Sequence, residues 1–272
     1  MLKILIQGEL GSFHHQAAEL LFGHDIEIIP CATFAQLFAG LDDTTIGLSA
    51  IENSLYGSIN EVYDLLEKSG AQIFAETELI IHQNLIGLPD ANIEGIKEIY
   101  SHFAALAQCE NYLEKNFPNA KKVEFEDTAA AVRYIAAEKD PTKAAIAGVQ
   151  TLNLFDVKML AESIEDNPVN FTRFVALARK DARDLIPKTD LPTNGKSSLI
   201  LTTGHQPGAL YEALGIFVAH QLNLTKLQSR PIIGEKWRYK FYIDFLGNAG
   251  EAENVVEDLQ EAGNEVYLLG SY

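Results

Sequence analysis

Hydrophobic residues alternate along this chain between short runs and longer stretches with helical spacing. The mostly apolar runs at residues 3–7, 46–51 and 144–147 end at Gly or polar residues and predict buried strands. A capping-box pattern, Ser58 followed by Glu61, predicts the start of an amphipathic helix. Its apolar face carries Ile59, Val62, Leu65 and Leu66. Strands that alternate with helices in this way are typical of parallel sheets covered by helices.

The alternating region, residues 1–178, is too long for one simple sheet and predicts two α/β lobes. The chain is expected to cross from the first lobe to the second near residues 75–82 and to return near residues 165–172. Residues 179–195, which hold charged residues, prolines and the pair Asn194-Gly195, predict a linker between domains.

The C-terminal segment, residues 196–272, has a different pattern. Its apolar runs and helical stretches follow the order β-α-β-β-α-β, which predicts a ferredoxin-like domain of the split βαβ type. Pro231 falls in the second strand of this domain, and proline favours an edge position. An edge strand invites pairing with a second subunit, so a homo-oligomer is expected.

The net charge of the chain disfavours some classes of binding partner. A formal net charge of -17 and a pI near 4.8 disfavour binding to nucleic acid or to anionic lipid. No long uninterrupted apolar window predicts a membrane span, and residues 1–10 resemble a buried strand more than a signal peptide, so a cytoplasmic location is expected. A carboxylate ligand would need local positive potential, from an arginine or from helix N-termini.

Motifs for metals and cofactors are missing from the sequence. Cys31 and Cys109 lie far apart and have no metal-binding spacing, and no phosphate-binding or zinc-protease motif occurs. We therefore predict cofactor-free and metal-free chemistry.

Polar residues follow several of the predicted strands, where ligands of α/β proteins bind. The segment 8–13 passes through a glycine turn into a helix that begins at Ser12, and free N–H groups there suit a carboxylate or phosphate. Glu52, Asn53 and Ser54 end a second strand, and Ser101 ends a third. The alternative is local turn and capping chemistry at all of these positions.

The segment 170–174 (Asn-Phe-Thr-Arg-Phe) lies at the predicted return between the lobes, so it must pass the cleft that separates them. Arg173 is the only cation between Lys158 and Arg179 and is a candidate to bind an anion, with the hydroxyl of Thr172 beside it. The alternative is an edge strand with one surface arginine.

Taken together, these segments resemble prephenate dehydratase with an attached ACT domain. Residues 51–54 continuing through 57–66 are similar to one family signature, and residues 170–174 match its Thr-Arg-Phe motif. Residues 196–231 are similar to the ACT domain, with its Gly-Ala-Leu and Ser-Arg-Pro elements. The resemblance implies an α/β fold with two lobes like a periplasmic binding protein, followed by a ferredoxin-like βαββαβ ACT domain.

The resemblance also implies a reaction and a set of site residues. The family removes a carboxylate and a hydroxyl from prephenate, which gives phenylpyruvate without a cofactor. The implied catalytic residues are Thr172, Arg173 and Phe174. The implied substrate-binding residues are Ser12, Glu52, Asn53, Ser54, Ser101 and Gln108. The residues implied to bind an amino-acid effector, phenylalanine, are Gly208, Ala209, Leu210, Gln228, Ser229 and Arg230. A homo-dimer or homo-tetramer is expected.

Two other functions remain compatible with the same motifs. Arogenate dehydratase uses a substrate with an amino group in place of the keto group. A non-catalytic amino-acid sensor could also be built from two lobes and an ACT domain, although the Thr172-Arg173-Phe174 motif favours catalysis.

Overall fold

A computed structural model describes residues 1–182, 185 and 195–272. The strands are β1 (Leu2–Gln7), β2 (Ile26–Cys31), β3 (Thr45–Asn53), β4 (Gly57–Ser58), β5 (Gln72–Ile80), β6 (Asn84–Gly87), β7 (Glu98–Ser101), β8 (Lys121–Glu124), β9 (Lys143–Ala147), β10 (Lys158–Ala161), β11 (Phe171–Ala178), β12 (Lys196–Thr202), β13 (Asn223–Pro231), β14 (Tyr239–Leu246) and β15 (Glu265–Ser271). The helices are α1 (Phe13–Phe22), α2 (Phe34–Ala39), α3 (Asn60–Ser69), α4 (Phe103–Gln108), α5 (Glu110–Asn116), α6 (Thr128–Glu138), α7 (Ala209–Ala219) and α8 (Ala249–Glu261). None of these helices, in the part of the chain that the structure describes, is long and apolar enough to cross a membrane.

The first lobe is built on a six-stranded sheet in the order β2-β1-β3-β11-β5, with β4 paired to β3. Strand β1 is parallel to β2 and β3, but β11 is antiparallel to both β3 and β5. The expectation of a parallel sheet is therefore wrong for this part of the lobe. The reason is the path of the chain, because β11 arrives from the second lobe and enters the sheet from the opposite end.

The second lobe has a five-stranded sheet in the order β10-β6-β9-β7-β8, which is also mixed. Strand β7 is parallel to β8 and β9, whereas β6 is antiparallel to β9 and β10. The chain passes between the lobes at residues 81–83 and again at residues 162–170. The predicted crossovers, 75–82 and 165–172, overlap these connections but also include parts of β5 and β11. Most of the predicted linker, 179–195, lies outside the described residues.

The C-terminal domain has the element order β12-α7-β13-β14-α8-β15 and the antiparallel sheet order β13-β14-β12-β15. One face of this sheet packs on α7 and α8 around Leu199, Ile243 and Phe217. The other face shares a buried core with the first lobe, where the rings of Tyr63 and Tyr242 stack 4.4 Å apart. The domain is therefore docked on the first lobe through its sheet. Strand β13 is an edge strand, as Pro231 predicts.

Helix α3 begins differently from the predicted capping box. Its first residue is Asn60, Ile59 occupies the N-cap position, and no side chain caps the helix. The hydroxyl of Ser58 is instead bonded to Gln228 and Lys226 of the C-terminal domain. The capping-box prediction is wrong at Ser58 because a partner 170 residues away in sequence competes for its hydroxyl.

Candidate active site

A cleft of about 430 Å³ lies between the two lobes. The first lobe lines it with Gln7, Ser12, Phe13, His14, Ala50, Asn53, Tyr56, Gly57, Ser58, Ile59, Ile81, Thr172 and Phe174. The second lobe lines it with Gln83, His102, Phe103, Ala104, Ala105, Gln108, Glu126, Asp127 and Thr128. A volume of this size suits a small organic substrate.

Helices α1 and α6 both begin at this cleft, one from each lobe. Ser12 caps α1 by accepting from the N–H of His15, and Asp127 caps α6 by accepting from Ala129 at 2.8 Å and Ala130 at 3.1 Å. The N–H groups of residues 13, 14 and 128 have no hydrogen-bond partner within the described residues. The first turns of two helices therefore give the cleft a positive partial charge.

Charged side chains in the cleft are acidic. Among the described residues that line it there is no lysine or arginine, but Glu126 and Asp127 are present. Burial raises the pKa of Asp127, and the neighbouring charges of Glu9 and Glu126 add to this rise. The two backbone N–H groups that donate hydrogen bonds to the Asp127 carboxylate lower its pKa and so act in the opposite direction. Its carboxyl group is therefore protonated at a higher pH than an exposed aspartate.

His14 is a cleft residue whose role the sequence did not reveal. Its Nε2 accepts a hydrogen bond of 3.1 Å from the N–H of Ala50, and its ring lies edge-on to Phe174 with centroids 5.1 Å apart. Burial lowers the pKa of His14 to about 3, so the imidazole is neutral near pH 7. The partner in β3 is 36 residues away in sequence, and no local pattern indicates this contact.

Thr172 faces the cleft and is held by Asn53. The Nδ2 group of Asn53 donates to Thr172 Oγ1 at 2.9 Å and to Asn170 Oδ1 at 2.8 Å. Asn53 Oδ1 in turn accepts from the N–H groups of Leu55 and Tyr56, which fixes the orientation of the amide. Because Thr172 Oγ1 accepts from Asn53 and has no acceptor among the described residues, its own proton is available to a ligand.

Arg173 lies on the opposite face of β11, since neighbouring residues of a strand point to opposite sides. Its guanidinium is buried and donates to Glu76 at 2.5 Å, to Asp244 at 2.5 Å and to the hydroxyl of Tyr272 at 2.5 Å. The expectation that Arg173 faces the cleft is wrong. Its side chain lies between the first lobe and the C-terminal domain, and its charge is paired there.

The other predicted site residues also fall into two groups, those that line the cleft and those that do not. Ser12, Asn53, Gln108, Thr172 and Phe174 line the cleft. Gln108 accepts a hydrogen bond of 2.9 Å from Gln83, which also lines it.

Three predicted substrate-binding residues point elsewhere. Glu52 is on the face opposite Asn53, 2.6 Å from Lys226. Ser54 accepts from the N–H of Phe171 and so holds the segment that leads into β11. Ser101 is fully buried in the second sheet and donates to the carbonyl of Ile146 at 2.7 Å. Sequence reasoning placed all three near a strand end but could not tell which face each would occupy.

The predicted effector residues lie on two separate surfaces of the chain. Residues 208–210 line a surface pocket at the start of α7. Gln228 and Arg230 face the first lobe, where Arg230 is 2.7 Å from Asp64, while Ser229 is exposed on the other side of β13.

Comparison with known proteins decides the family. A family model of prephenate dehydratase matches residues 4–182. A bifunctional chorismate mutase/prephenate dehydratase of Aquifex aeolicus is 34% identical over 276 residues, which cover 100% of this chain and 73% of that protein. The chain belongs to the prephenate dehydratase family. It is an enzyme of the prephenate dehydratase type, as the sequence motifs predicted.

Arogenate dehydratases also occur among the relatives of this chain. Arogenate dehydratase 2 of Petunia hybrida is 34% identical over 289 residues, covering 100% of this chain and 71% of that protein.

Solved structures confirm the predicted fold class of two lobes followed by an ACT-like domain. A prephenate dehydratase from Arthrobacter aurescens in complex with L-Phe has a TM-score of 0.82 at 25% identity, over 100% of this chain and 90% of that one. GqqA, described as a novel type of quorum quenching acylase, has a TM-score of 0.84 at 27% identity, over 99% of this chain and 97% of that one.

Proposed function

We propose that the cleft converts prephenate to phenylpyruvate, carbon dioxide and water, with Thr172 as the hydrogen-bond donor to the departing hydroxyl. The observation that carries the assignment is the bond from Asn53 Nδ2 to Thr172 Oγ1. This bond occupies an acceptor site of the hydroxyl and leaves its proton for the substrate.

The reaction breaks two bonds to the ring. One is the C–C bond to the carboxylate, and the other is the C–O bond to the hydroxyl. When the carboxylate leaves as carbon dioxide, its electron pair moves into the ring, and the ring becomes aromatic as the C–O bond releases the hydroxyl. The hydroxyl leaves with the electron pair of the C–O bond and takes up one proton from solvent, which gives water. A threonine hydroxyl is a poor acid, so Thr172 acts mainly by donating a hydrogen bond to the oxygen as its charge develops.

Helix N-termini take over the role that the sequence assigned to Arg173. Prephenate carries two carboxylates, and the described cleft residues include no lysine or arginine. The first turns of α1 and α6 offer unpartnered N–H groups in the cleft, one helix from each lobe. We assign the carboxylate that the product retains to the first turn of α1, where an anion gains about 0.3–2 kcal/mol.

Substitution of Thr172 tests this assignment. Thr172→Ala removes the hydroxyl and should lower kcat for phenylpyruvate formation by roughly 100- to 1,000-fold, the usual cost of losing one such donor. Thr172→Ser keeps the hydroxyl and serves as the matched control, with activity within about tenfold of the parent. Near-parental turnover by a folded Thr172→Ala protein, followed by phenylpyruvate absorbance, would remove Thr172 from the mechanism.

Arogenate is the second candidate substrate, and the acidic lining favours it. An ammonium group in place of the keto group could pair with Glu126, which lines the cleft beside the start of α6. Parallel turnover assays with both substrates at the same enzyme concentration decide between them. The ratio of the two kcat/KM values assigns the preferred substrate.

Regulation by phenylalanine at the C-terminal domain is also part of the proposal. The Arthrobacter aurescens neighbour was solved with L-Phe, which supports an amino-acid effector for a chain of this architecture. We assign the effector to the surface around Gly208, Ala209 and Leu210, with a second subunit completing the site in a homo-dimer or homo-tetramer. We also propose a place in phenylalanine biosynthesis, in the cytoplasm, which the biosynthetic relatives support.

Acylase chemistry, described for GqqA, is not favoured at Ser58, the cleft serine that meets a lysine. The lysine is Lys226. A nucleophilic serine directs its proton toward a base. Here the Ser58 hydroxyl donates to Gln228 Oε1, and the Lys226 ammonium, paired with Glu52, donates to Ser58 Oγ.

A further inference from the structure

Ser58 connects the cleft directly to the C-terminal domain. Ser58 lines the cleft. Its hydroxyl donates to Gln228 Oε1 at 2.5 Å and accepts from Lys226 Nζ at 2.5 Å. Both partners lie on β13, and the two bonds span 170 and 168 residues of sequence. A residue of the cleft wall is therefore held, through its hydroxyl, from outside the two lobes.

Lys226 makes a second contact with the same part of the wall. Its Nζ is 2.6 Å from Glu52 Oε1, and only 9% of the lysine side chain is exposed. Glu52 and Ser58 are themselves paired across the hairpin of β3 and β4. One ammonium group thus ties together the two strands of this hairpin.

The hairpin carries the residue that orients the proposed donor. Asn53 follows Glu52 directly, pairs with Gly57 across the hairpin, and donates to Thr172 Oγ1. A shift of the hairpin would therefore move the Asn53 amide away from Thr172. Displacements of about 1 Å at such positions can cost on the order of 100-fold in rate.

We propose that Lys226, supported by Gln228, is a positioning residue of the cleft, by which the C-terminal domain sets the geometry of Asn53 and Thr172. This role rests on the proposed function of Thr172. It also gives the predicted effector residue Gln228 a specific connection to the chemistry. A change in the position of β13 is transmitted through Ser58 and Glu52 to the orientation of the donor.

The competing explanation is that Lys226 only stabilises the contact between domains. Lys240 provides a matched control, because it lies on the same face of the same sheet and pairs with Glu67 and Asp64. Glu67 and Asp64 belong to α3 and do not line the cleft. A purely stabilising role predicts the same behaviour for both lysines.

Steady-state kinetics on the full chain separate the two explanations. Lys226→Met should lower kcat by at least about tenfold and change KM by less than about threefold, because the donor acts on the transition state. Lys240→Met should leave both constants within about twofold. Equal kinetic effects of the two substitutions, with matched losses of thermal stability, would overturn the proposal.

A double-substitution cycle with Ser58→Ala gives an independent readout. If Lys226 acts through Ser58 and Glu52, adding Lys226→Met to Ser58→Ala should reduce kcat by much less than the product of the single effects. Fully multiplicative effects would exclude a shared path. Should Lys226→Met fail to fold, Gln228→Ala takes its place in the cycle, and an unchanged kcat in that variant counts against the proposal.

Hydrogen–deuterium exchange tests the connection without any substrate. Residues 53–59 should exchange faster in Lys226→Met than in Lys240→Met or the parent protein. Loss of the proposed function, shown by a parent enzyme that leaves prephenate unchanged, is thereby distinguished from failure of this inference. Unaltered exchange of the hairpin in Lys226→Met would refute the inference on its own.

Discussion

The cleft and the contact with the C-terminal domain lie on opposite sides of the same sheet, and they use charge in opposite ways. The cleft side presents neutral polar groups, helix N-termini and two carboxylates. The contact side collects cations from both domains and pairs each with a carboxylate, as Arg173 does with Asp244 and Lys226 does with Glu52. In this acidic protein the buried cations therefore stabilise the contact between domains, and anion binding in the cleft depends on backbone dipoles.

Strand β11 separates the two environments at adjacent residues. Thr172 faces the cleft, and Arg173 faces the domain contact. Adjacent residues of one motif therefore have different roles. Substitution of Thr172 should change the kinetic constants, and substitution of Arg173 should change the free energy of unfolding.

Arg173→Met should have the largest effect on stability. Removing the guanidinium leaves the carboxylate of Asp244 in a buried site without its cationic partner, and breaking a buried ion pair in this way costs about 3–5 kcal/mol. Denaturant unfolding measures the loss. The control is Arg179→Met, whose pair with Asp181 is exposed to solvent, so that this substitution should leave the free energy of unfolding almost unchanged. An unchanged unfolding free energy combined with a large rise in KM would instead make Arg173 a substrate anchor.

The buried imidazole of His14, which lines the cleft, should make the free energy of unfolding depend on pH. Since burial lowers the pKa of His14 to about 3, the unfolded chain binds a proton at this residue below its ordinary pKa of 6.5 while the folded chain does not. The contribution of His14 to the free energy of unfolding is therefore complete above pH 6.5 and is lost progressively as the pH falls toward 3. The slope approaches about 1.4 kcal/mol per pH unit for one proton.

His14→Gln removes this titration and should flatten the curve relative to the parent. Unfolding free energies of both proteins at several pH values between 4 and 7 measure the difference. Parallel curves for the parent and the variant would show that His14 is protonated equally in both states.

Ser101→Ala should have the smallest effect of the three. Ser101 is buried in the second sheet and donates to the carbonyl of Ile146, so its loss should cost about 1 kcal/mol in the free energy of unfolding. The KM for prephenate should stay within about twofold of the parent value. A large rise in KM at unchanged stability would return Ser101 to the substrate-binding set.

The sequence predicted features that depend on local pattern. Apolar spacing indicated the order β12-α7-β13-β14-α8-β15, and the position of Pro231 indicated that β13 is an edge strand. Asn53 was predicted to lie at the cleft because polar residues at strand ends line ligand sites in α/β folds. Thr172 was predicted to lie there because its segment returns between the lobes and resembles the family motif, and both residues line the cleft.

Features that depend on distant partners could not be predicted. Whether Thr172 or Arg173 faces the cleft is decided by the pairing of β11 with β3 and β5, which the local pattern does not contain. Ser58 matched a capping box, but Lys226 and Gln228 bind its hydroxyl instead. His14 gave no signal because its significance comes from burial and from a bond to β3.

The position of β11 also has a consequence for biosynthesis. This strand fills the gap between β3 and β5, so the first sheet stays divided until residues 171–178 have left the ribosome. Strands β6 to β10 of the second lobe are contiguous in sequence and can pair before that moment. The lobe that begins the chain is thus completed after the lobe that follows it.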